Sequence, residues 1–440
     1  MNNKKWMAIL LGGIMAASLA APCSVSAAEK TTLTFWHAMG GTNGEVLQQI
    51  VDDFNASQDE IEIKAEYQGT YDDTITKLKA AMQSDSGLPD VCQMYDVGTK
   101  FMYDSGAVIP VEDKFESTGY DKSSVMEVIS SYYTVDGKQY AMPFNVSTPM
   151  LYYNKDVFEA AGLDPETPPT TYDEVLEDAK KIVESGAAPV GYSQAIYGWF
   201  FEQQLAGLGV TYGNNDNGRK EAVTAVDFDS NGGGLKVFDM WKKLYDSGYF
   251  EDDGTTTADT QTAFFSGQVG MIIESTAILK NAVDSSPFEV GTGYLPRIEQ
   301  NDEGGVIIGG GSLWLTDTGN EANEDAAWKF IEYITTPDVQ AKWSMGTGYF
   351  AINEKAYETE DMKAYLKENP NFETAINQLK DSPVNCNTAG VLSGVQTEAR
   401  LTFNEIMPQV YDGKLTTQDA VDQLAASVNK AIENYNESIK

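Results

Sequence analysis

Residues 139–158, QYAMPFNVSTPMLYYNKDVF, separate two folding regions of this chain. Phe144 to Pro149 is polar and extended in character. It runs into the strand-like Met150-Leu151-Tyr152-Tyr153, and Asn154-Lys155-Asp156 then opens a helix. Pro143 and Pro149 fix φ and lack an N–H donor, so the segment is expected to cross between two lobes at a sheet edge rather than to lie as a paired central strand. An ordinary interdomain linker fits the same residues.

Upstream, strand and helix signals alternate. Thr32 to Trp36 is β-branched and aromatic, and Val46, Leu47, Ile50, Val51 and Phe54 then share one helical face. Ile61 to Tyr67 reads as a second strand. Thr70 and Asp73 make a capping box for a helix with Ile75, Leu78 and Met82 on one side. Asp90 to Tyr95 is a third strand, followed by a short helix near Val97 to Tyr103. This order predicts a parallel α/β sheet covered on both faces, with ligands beyond the carboxyl ends of its strands. Trp36, His37, Tyr71 and Asp96 sit at that rim.

Downstream, Tyr172 to Ser185 reads as an acidic amphipathic helix, and Leu235, Phe238, Trp241 and Leu244 recur at helical spacing. Gln268 to Glu274 is a strand with Ser275 at its carboxyl end. Gly305 to Ile308 reads as a further strand entering Gly309-Gly310-Gly311, which serves equally as an anion-binding backbone nest or as a flexible bend. The last quarter is mainly helical.

The first 28 residues combine Lys4 and Lys5, an apolar run from Trp6 to Ala21, and a small-residue cleavage site at Val25-Ser26-Ala27, the pattern of an export signal. A lipid anchor through Cys23 is the alternative, against which Pro22 argues. The net charge is −36, and removing the two leader lysines makes it −38. Such a surface excludes nucleic acid and anionic lipid as main partners. An anionic ligand needs a local clamp, and the chain has only three arginines, Arg219, Arg297 and Arg400. Arg400, near Glu398 and Glu405, reads by itself as a surface ion-pair residue. Whether Cys92 and Cys386 pair is not readable from spacing.

Catalytic signatures are missing. His37 is the sole histidine, which rules out histidine-based metal clusters and points to packing or hydrogen bonding at the rim. The segment from Asp227 to Gly232 begins like a calcium loop, but Phe238 stands where the bidentate acid belongs, so a turn and helix cap are expected. No cofactor and no metal are expected.

TFWHAMGG, YQGTYDD, QMYDVGT, PFNVSTPMLYYNKDVFEAAGLDPETPP, IIGGGSLW and TGYFAINEKAY, in this order, resemble the glycerol-3-phosphate branch of the extracellular solute-binding family that serves bacterial ABC importers. The resemblance spans essentially the whole mature chain. It implies a two-lobe periplasmic-binding-protein fold of type II, α/β with discontinuous lobes and a hinge, in a non-enzymatic, monomeric, periplasmic protein that delivers its ligand to a membrane permease. The expected lobes are 29–145 with 303–345, and 146–302 with 346–440. By the same resemblance Tyr71 and Asp96 hold glycerol hydroxyls, while Ser147, Ser275, the Gly310 N–H, Tyr349 and Arg400 hold the phosphate. Arg400→Ala is then expected to abolish binding and leave the fold intact.

Three departures bear on the ligand. Asp96 stands where the family has Glu, Tyr172 replaces a tryptophan that flanks the glycerol, and Gly40 replaces an acid. The added room suits a glycerophosphodiester as well as glycerol-3-phosphate. An oligosaccharide binder using Trp36, Tyr71, Tyr172 and Trp199 is the nearest rival, and a secreted glycoside hydrolase is the rival from another class.

Overall fold

The alternation in the first strand sets the first sheet: Leu33, Phe35 and His37 are buried on one side of β1 (Thr31–His37). The structure is a computed structural model that describes residues 30–84 and 87–439, so the export signal and Cys23 lie outside the described residues. Parallel to β1 run β2 (Ile61–Tyr67) and β3 (Val91–Tyr95). The intervening helix Gly41–Ser57 buries Leu47, Ile50, Val51 and Phe54. Helix Tyr71–Ser84 starts at the expected box, with Thr70 N donating to Asp73 (2.9 Å) and Asp73 N donating back to Thr70 Oγ1 (3.1 Å). A short β4 (Val108–Ile109) and the small hairpin of β5 (Thr134–Val135) and β6 (Lys138–Gln139) follow.

The chain then crosses through β7 (Met142–Ser147) into β8 (Pro149–Asn154). The second sheet adds β9 (Val190–Ser193), β10 (Phe250–Glu251), β11 (Val269–Ser275) and β12 (Val290–Gly293), in the order β10-β9-β11-β8-β12. The return strand β13 (Gly309–Thr316) inserts antiparallel between β3 and β4 of the first sheet and also carries β7. The first sheet is therefore completed by chain that returns after the whole second sheet has formed, which makes that lobe discontinuous.

Two of the sequence expectations need correction here. Of the two crossing strands, β7 pairs only with β13 at the side of the first sheet, whereas β8 lies inside the second sheet between β11 and β12. Pro149 is tolerated because it is the first residue of β8, where a missing N–H costs least. The glycine run does not follow a strand and is not a bend: Gly309-Gly310-Gly311 itself opens β13, and residues 305–308 are not strand. Gly310 has φ +88°, next to a register shift, and a Cβ there would lie 1.8 Å from the Asn145 carbonyl oxygen. Only glycine fits such a close bulge.

The second lobe is closed by helix Tyr172–Ser185, whose ends match the sequence reading because Thr171 and Glu174 form a complete capping box. Helices Gly198–Gly207, Gly233–Asp246, Gln396–Tyr411 and Thr417–Ser438 pack around Phe201, Phe228, Phe238, Trp241 and Phe403, an interlocked aromatic core. Each such side chain contributes roughly 1.5–3 kcal/mol on burial. Gly232 caps helix Gly233–Asp246 in the left-handed conformation, the turn-and-cap reading of the calcium-like segment. Cys92 is buried in β3 and Cys386 is partly exposed; both are free thiols.

Candidate functional site

Asp96 follows β3 as the first residue of a short 3₁₀ turn and is buried. Facing it from the second lobe are Arg400 on helix Gln396–Tyr411 and Glu202 on helix Gly198–Gly207. Gly198 lets these two helices touch, since a Cβ on it would lie 2.5 Å from the Arg400 Cα. Its N–H donates to Asn404 Oδ1 at 2.9 Å. Arg400 Nε and Nη2 donate to the two carboxylate oxygens of Glu202 at 2.8 and 2.7 Å, and Nη2 also donates to Asp96 Oδ2 at 2.8 Å. Gln396 Nε2 donates to Glu202 at 3.0 Å.

The surface ion-pair reading of Arg400 is therefore overturned: it is buried, and its partners are Asp96 and Glu202 rather than Glu398 and Glu405. Burial works against its charge, but Asp96 and Glu202 more than offset this and hold the guanidinium ionised. Burial raises the Glu202 carboxyl above its ordinary range, and Arg400 opposes that rise.

A second network lies beside Asp96, whose charge acts on Tyr71. Tyr71 stacks on Tyr95 with 5.1 Å between ring centroids and accepts a hydrogen bond from Asn145 Nδ2 at 2.7 Å. Asn145 Oδ1 accepts from Gln93 Nε2, also at 2.7 Å. Burial pushes both the Tyr71 and Tyr349 hydroxyls up, and Asn145 pulls both back, so these three polar groups form one cluster. The Tyr95 hydroxyl bonds Asp72 (3.0 Å) and, across the cleft, Thr397 (2.6 Å), one turn before Arg400.

Ser147, Ser275, Gly310 and Tyr349 gather where the chain crosses. Ser147 pairs with Gly309, Val146 with Gly310, and the Phe350 N–H donates to the Val146 carbonyl at 2.9 Å, which sets Tyr349 beside them. Ser275 lies opposite Pro149 in the β8–β11 pair, and its Oγ accepts from the Ala277 N–H at 3.2 Å. The neighbouring Thr276 N–H donates to the Thr148 carbonyl at 2.8 Å.

Tyr172 stands apart. It is 2 % exposed in the core of the second lobe, and its hydroxyl accepts from Gln204 Nε2 at 2.8 Å. The aromatic groups beside Arg400 are Tyr197, whose ring centre is 5.9 Å from the guanidinium carbon, and Trp199, which contacts Tyr197. The Trp199 ring lies against the start of β13, so that a Cβ on Gly309 would sit 2.7 Å from it. Trp199 Nε1 and Gln396 Oε1 are buried without hydrogen-bond partners.

Glu202, Tyr197, Asn145 and Gln396 were missed by sequence reasoning. Glu202 had one usable signal: it is the only charged residue in GWFFEQQLAG, and a lone acid in a buried helix requires a counter-charge. Next to Ser275, Glu274 is also buried; burial raises its carboxyl to about 7, against the pull of Gln261 and the Ser275 N–H. Two cavities elsewhere, of about 580 and 800 Å³, are lined by neither Asp96 nor Arg400. Among the described residues no group of His, Cys, Asp and Glu is placed to hold a metal, and no helix is long and apolar enough to cross a membrane.

Two discontinuous lobes that meet over buried polar side chains, joined by crossing strands, define a ligand-binding clamp. The family model for bacterial extracellular solute-binding proteins matches residues 49–374. The sn-glycerol-3-phosphate-binding periplasmic protein UgpB of Escherichia coli strain K12 is 31 % identical over 417 residues, covering 93 % of this chain and 94 % of the relative. The chain belongs to the bacterial extracellular solute-binding protein family.

Among solved structures, the cyclic α-maltosyl-1,6-maltose binding protein from Arthrobacter globiformis superposes with a TM-score of 0.76 at 26 % identity, covering 92 % of this chain and 100 % of that one. UgpB from Mycobacterium tuberculosis in complex with glycerophosphocholine superposes with 0.79 at 20 % identity, covering 92 % and 99 %, a likeness of fold. These relatives are named as binding proteins, so the family reading is non-enzymatic and the glycoside hydrolase is set aside at that level.

Proposed function

We propose that this protein captures a glycerol phosphate compound, sn-glycerol-3-phosphate or a glycerophosphodiester, outside the cytoplasmic membrane and delivers it to an ABC permease. The observation that carries this reading is the meeting of Asp96 and Arg400 across the cleft, beside the cluster of Ser147, Ser275, Gly310 and Tyr349. Asp96 and Tyr71 take the glycerol hydroxyls, since a carboxylate accepts from vicinal hydroxyl donors. Arg400, the hydroxyls of Ser147, Ser275 and Tyr349, and the Gly310 N–H take the phosphate. The Trp199 indole N–H, a buried donor without a partner, is suited to a further ligand oxygen. The lobes, 29–145 with 303–345 and 146–302 with 346–440, close about the crossing strands, and ligand stabilises the closed arrangement by bridging them. The 31 % identity to a glycerol-3-phosphate binder over nearly the whole chain supports this assignment.

Calorimetric titration of ligand-stripped protein with glycerol-3-phosphate, glycerophosphocholine and maltose is the test. Binding of a phosphate compound without a response to maltose is expected. The aromatic pair Tyr197–Trp199 and the Arthrobacter relative favour an oligosaccharide as the second reading, and binding of maltose alone would establish it.

A further inference from the structure

The charge on Arg400 is already matched before any ligand arrives. Glu202 holds Nε and Nη2 as a two-point fork, and both residues belong to helices of the same lobe, so this pair stays together whether the cleft is open or closed. Asp96 adds a second carboxylate from the opposite lobe. Neither of the other arginines helps: Arg219 donates to the carbonyls of Tyr132, Ala389 and Gly390, and Arg297 lies beside Thr171. Among the described residues no lysine is paired with Asp96 or Glu202. One guanidinium therefore faces two buried acids.

Resting on the phosphate reading, we propose that Glu202 is a specificity-determining residue that sets the clamp for a phosphodiester, with one negative charge, against a phosphomonoester, which approaches two at neutral pH. A phosphate that binds Arg400 displaces Asp96 toward the ligand hydroxyls and meets an Arg400–Glu202 pair of zero net charge. The first negative charge is accommodated by directed N–H and O–H donors. The second has no cation to answer it and lies within a few ångströms of a carboxylate in a water-poor cleft, where like charges repel strongly. Glu202 also fixes the guanidinium plane, so it acts both on charge and through position.

The experiment compares two nearly isosteric probes at pH 8, glycerol-3-phosphate and its methyl ester, by calorimetry on wild-type protein, Glu202→Gln and Glu202→Asp. In the wild type the methyl ester is expected to bind tighter by a factor on the order of ten or more. Glu202→Gln is expected to shrink that ratio about tenfold, and Glu202→Asp, which keeps the charge, to retain it. A purely structural role would weaken both probes together and leave the ratio unchanged. A wild-type protein that prefers the free phosphate, or a ratio unmoved in Glu202→Gln, overturns the inference while the phosphate reading stands. Binding of maltose and of neither phosphate probe overturns the phosphate reading itself, and this inference with it. If Glu202→Gln does not fold, a wild-type protein that does not prefer the methyl ester still overturns the inference.

Discussion

Asp96 and Arg400, separated by most of the chain, meet across the cleft at 2.8 Å, a hydrogen-bonded ion pair with both side chains less than a tenth exposed. One partner comes from the turn after β3 and the other from helix Gln396–Tyr411, so the pair ties the two sides of the cleft together in this structure. It also changes what removing Arg400 should do.

With Arg400→Ala, Glu202 and Asp96 are left as buried carboxylates without a counter-charge. The expectation of an intact fold is therefore revised. Such a deletion typically costs about 3–5 kcal/mol. Urea denaturation should show that loss, and replacing Glu202 with methionine in the same protein should recover a large part of it. Binding of phosphate compounds should be absent in the single variant under conditions where it remains folded.

Gly310→Ala should be costly for a different reason. The residue sits at φ +88° with the Asn145 carbonyl where a methyl group would go, and Asn145 holds the Tyr71 hydroxyl. Moving that strand disturbs the β7–β13 pairing and Tyr71 together. A stability loss of roughly 2–4 kcal/mol is expected, with weakened ligand binding in calorimetry. A variant with wild-type stability would contradict the bulge geometry.

His37 gives an unusually clean probe because it is the sole histidine. It is buried in β1, its Nδ1 accepts from the Met39 N–H, and burial lowers its pKa from 6.5 to about 4. The imidazole resonance in NMR should stay in its neutral position down to about pH 5. As the native state resists protonation that the unfolded chain accepts, stability from this residue is complete above pH 6.5 and declines as pH falls toward 4. The full loss is about 3 kcal/mol.

These particulars show which parts of the molecule were legible in the sequence. The helix at 172–185 was legible to the residue because its amphipathic pattern is local, and the Thr171–Glu174 capping box in the structure fixes its start. The parallel order of β1, β2 and β3 followed from alternating periodicities, which are also local. The glycine run was misread because a strand that pairs through its backbone, with no side chains to show alternation, carries no period at all. Arg400 was misplaced on the surface because its partners lie 198 and 304 positions away. No helical spacing encodes such a contact. Of the expected site residues, seven gather around the cleft and the crossing strands, whereas Tyr172 belongs to the packed core of one lobe.

Glu274 should oppose His37 in the acid stability profile. Its native carboxyl is raised by burial from 4.5 to about 7, so the folded state holds a proton that the unfolded chain has released over that window. Stability from this residue is therefore greatest below pH 4.5 and is lost as pH rises to 7, by about 3 kcal/mol. The contribution of His37 runs the other way over pH 4 to 6.5, so the two slopes largely cancel in the wild type. Glu274→Gln removes one of them. Relative to wild type, that variant should lose about 3 kcal/mol between pH 7 and pH 4.5, measured by urea denaturation at each pH. Above pH 7 it should match or exceed the wild type, less the cost of an amide that cannot accept from both Gln261 and the Ser275 N–H. Parallel profiles for the two proteins would mean that Glu274 is ionised in the fold throughout this range, and that its burial is offset by more than the two donors seen.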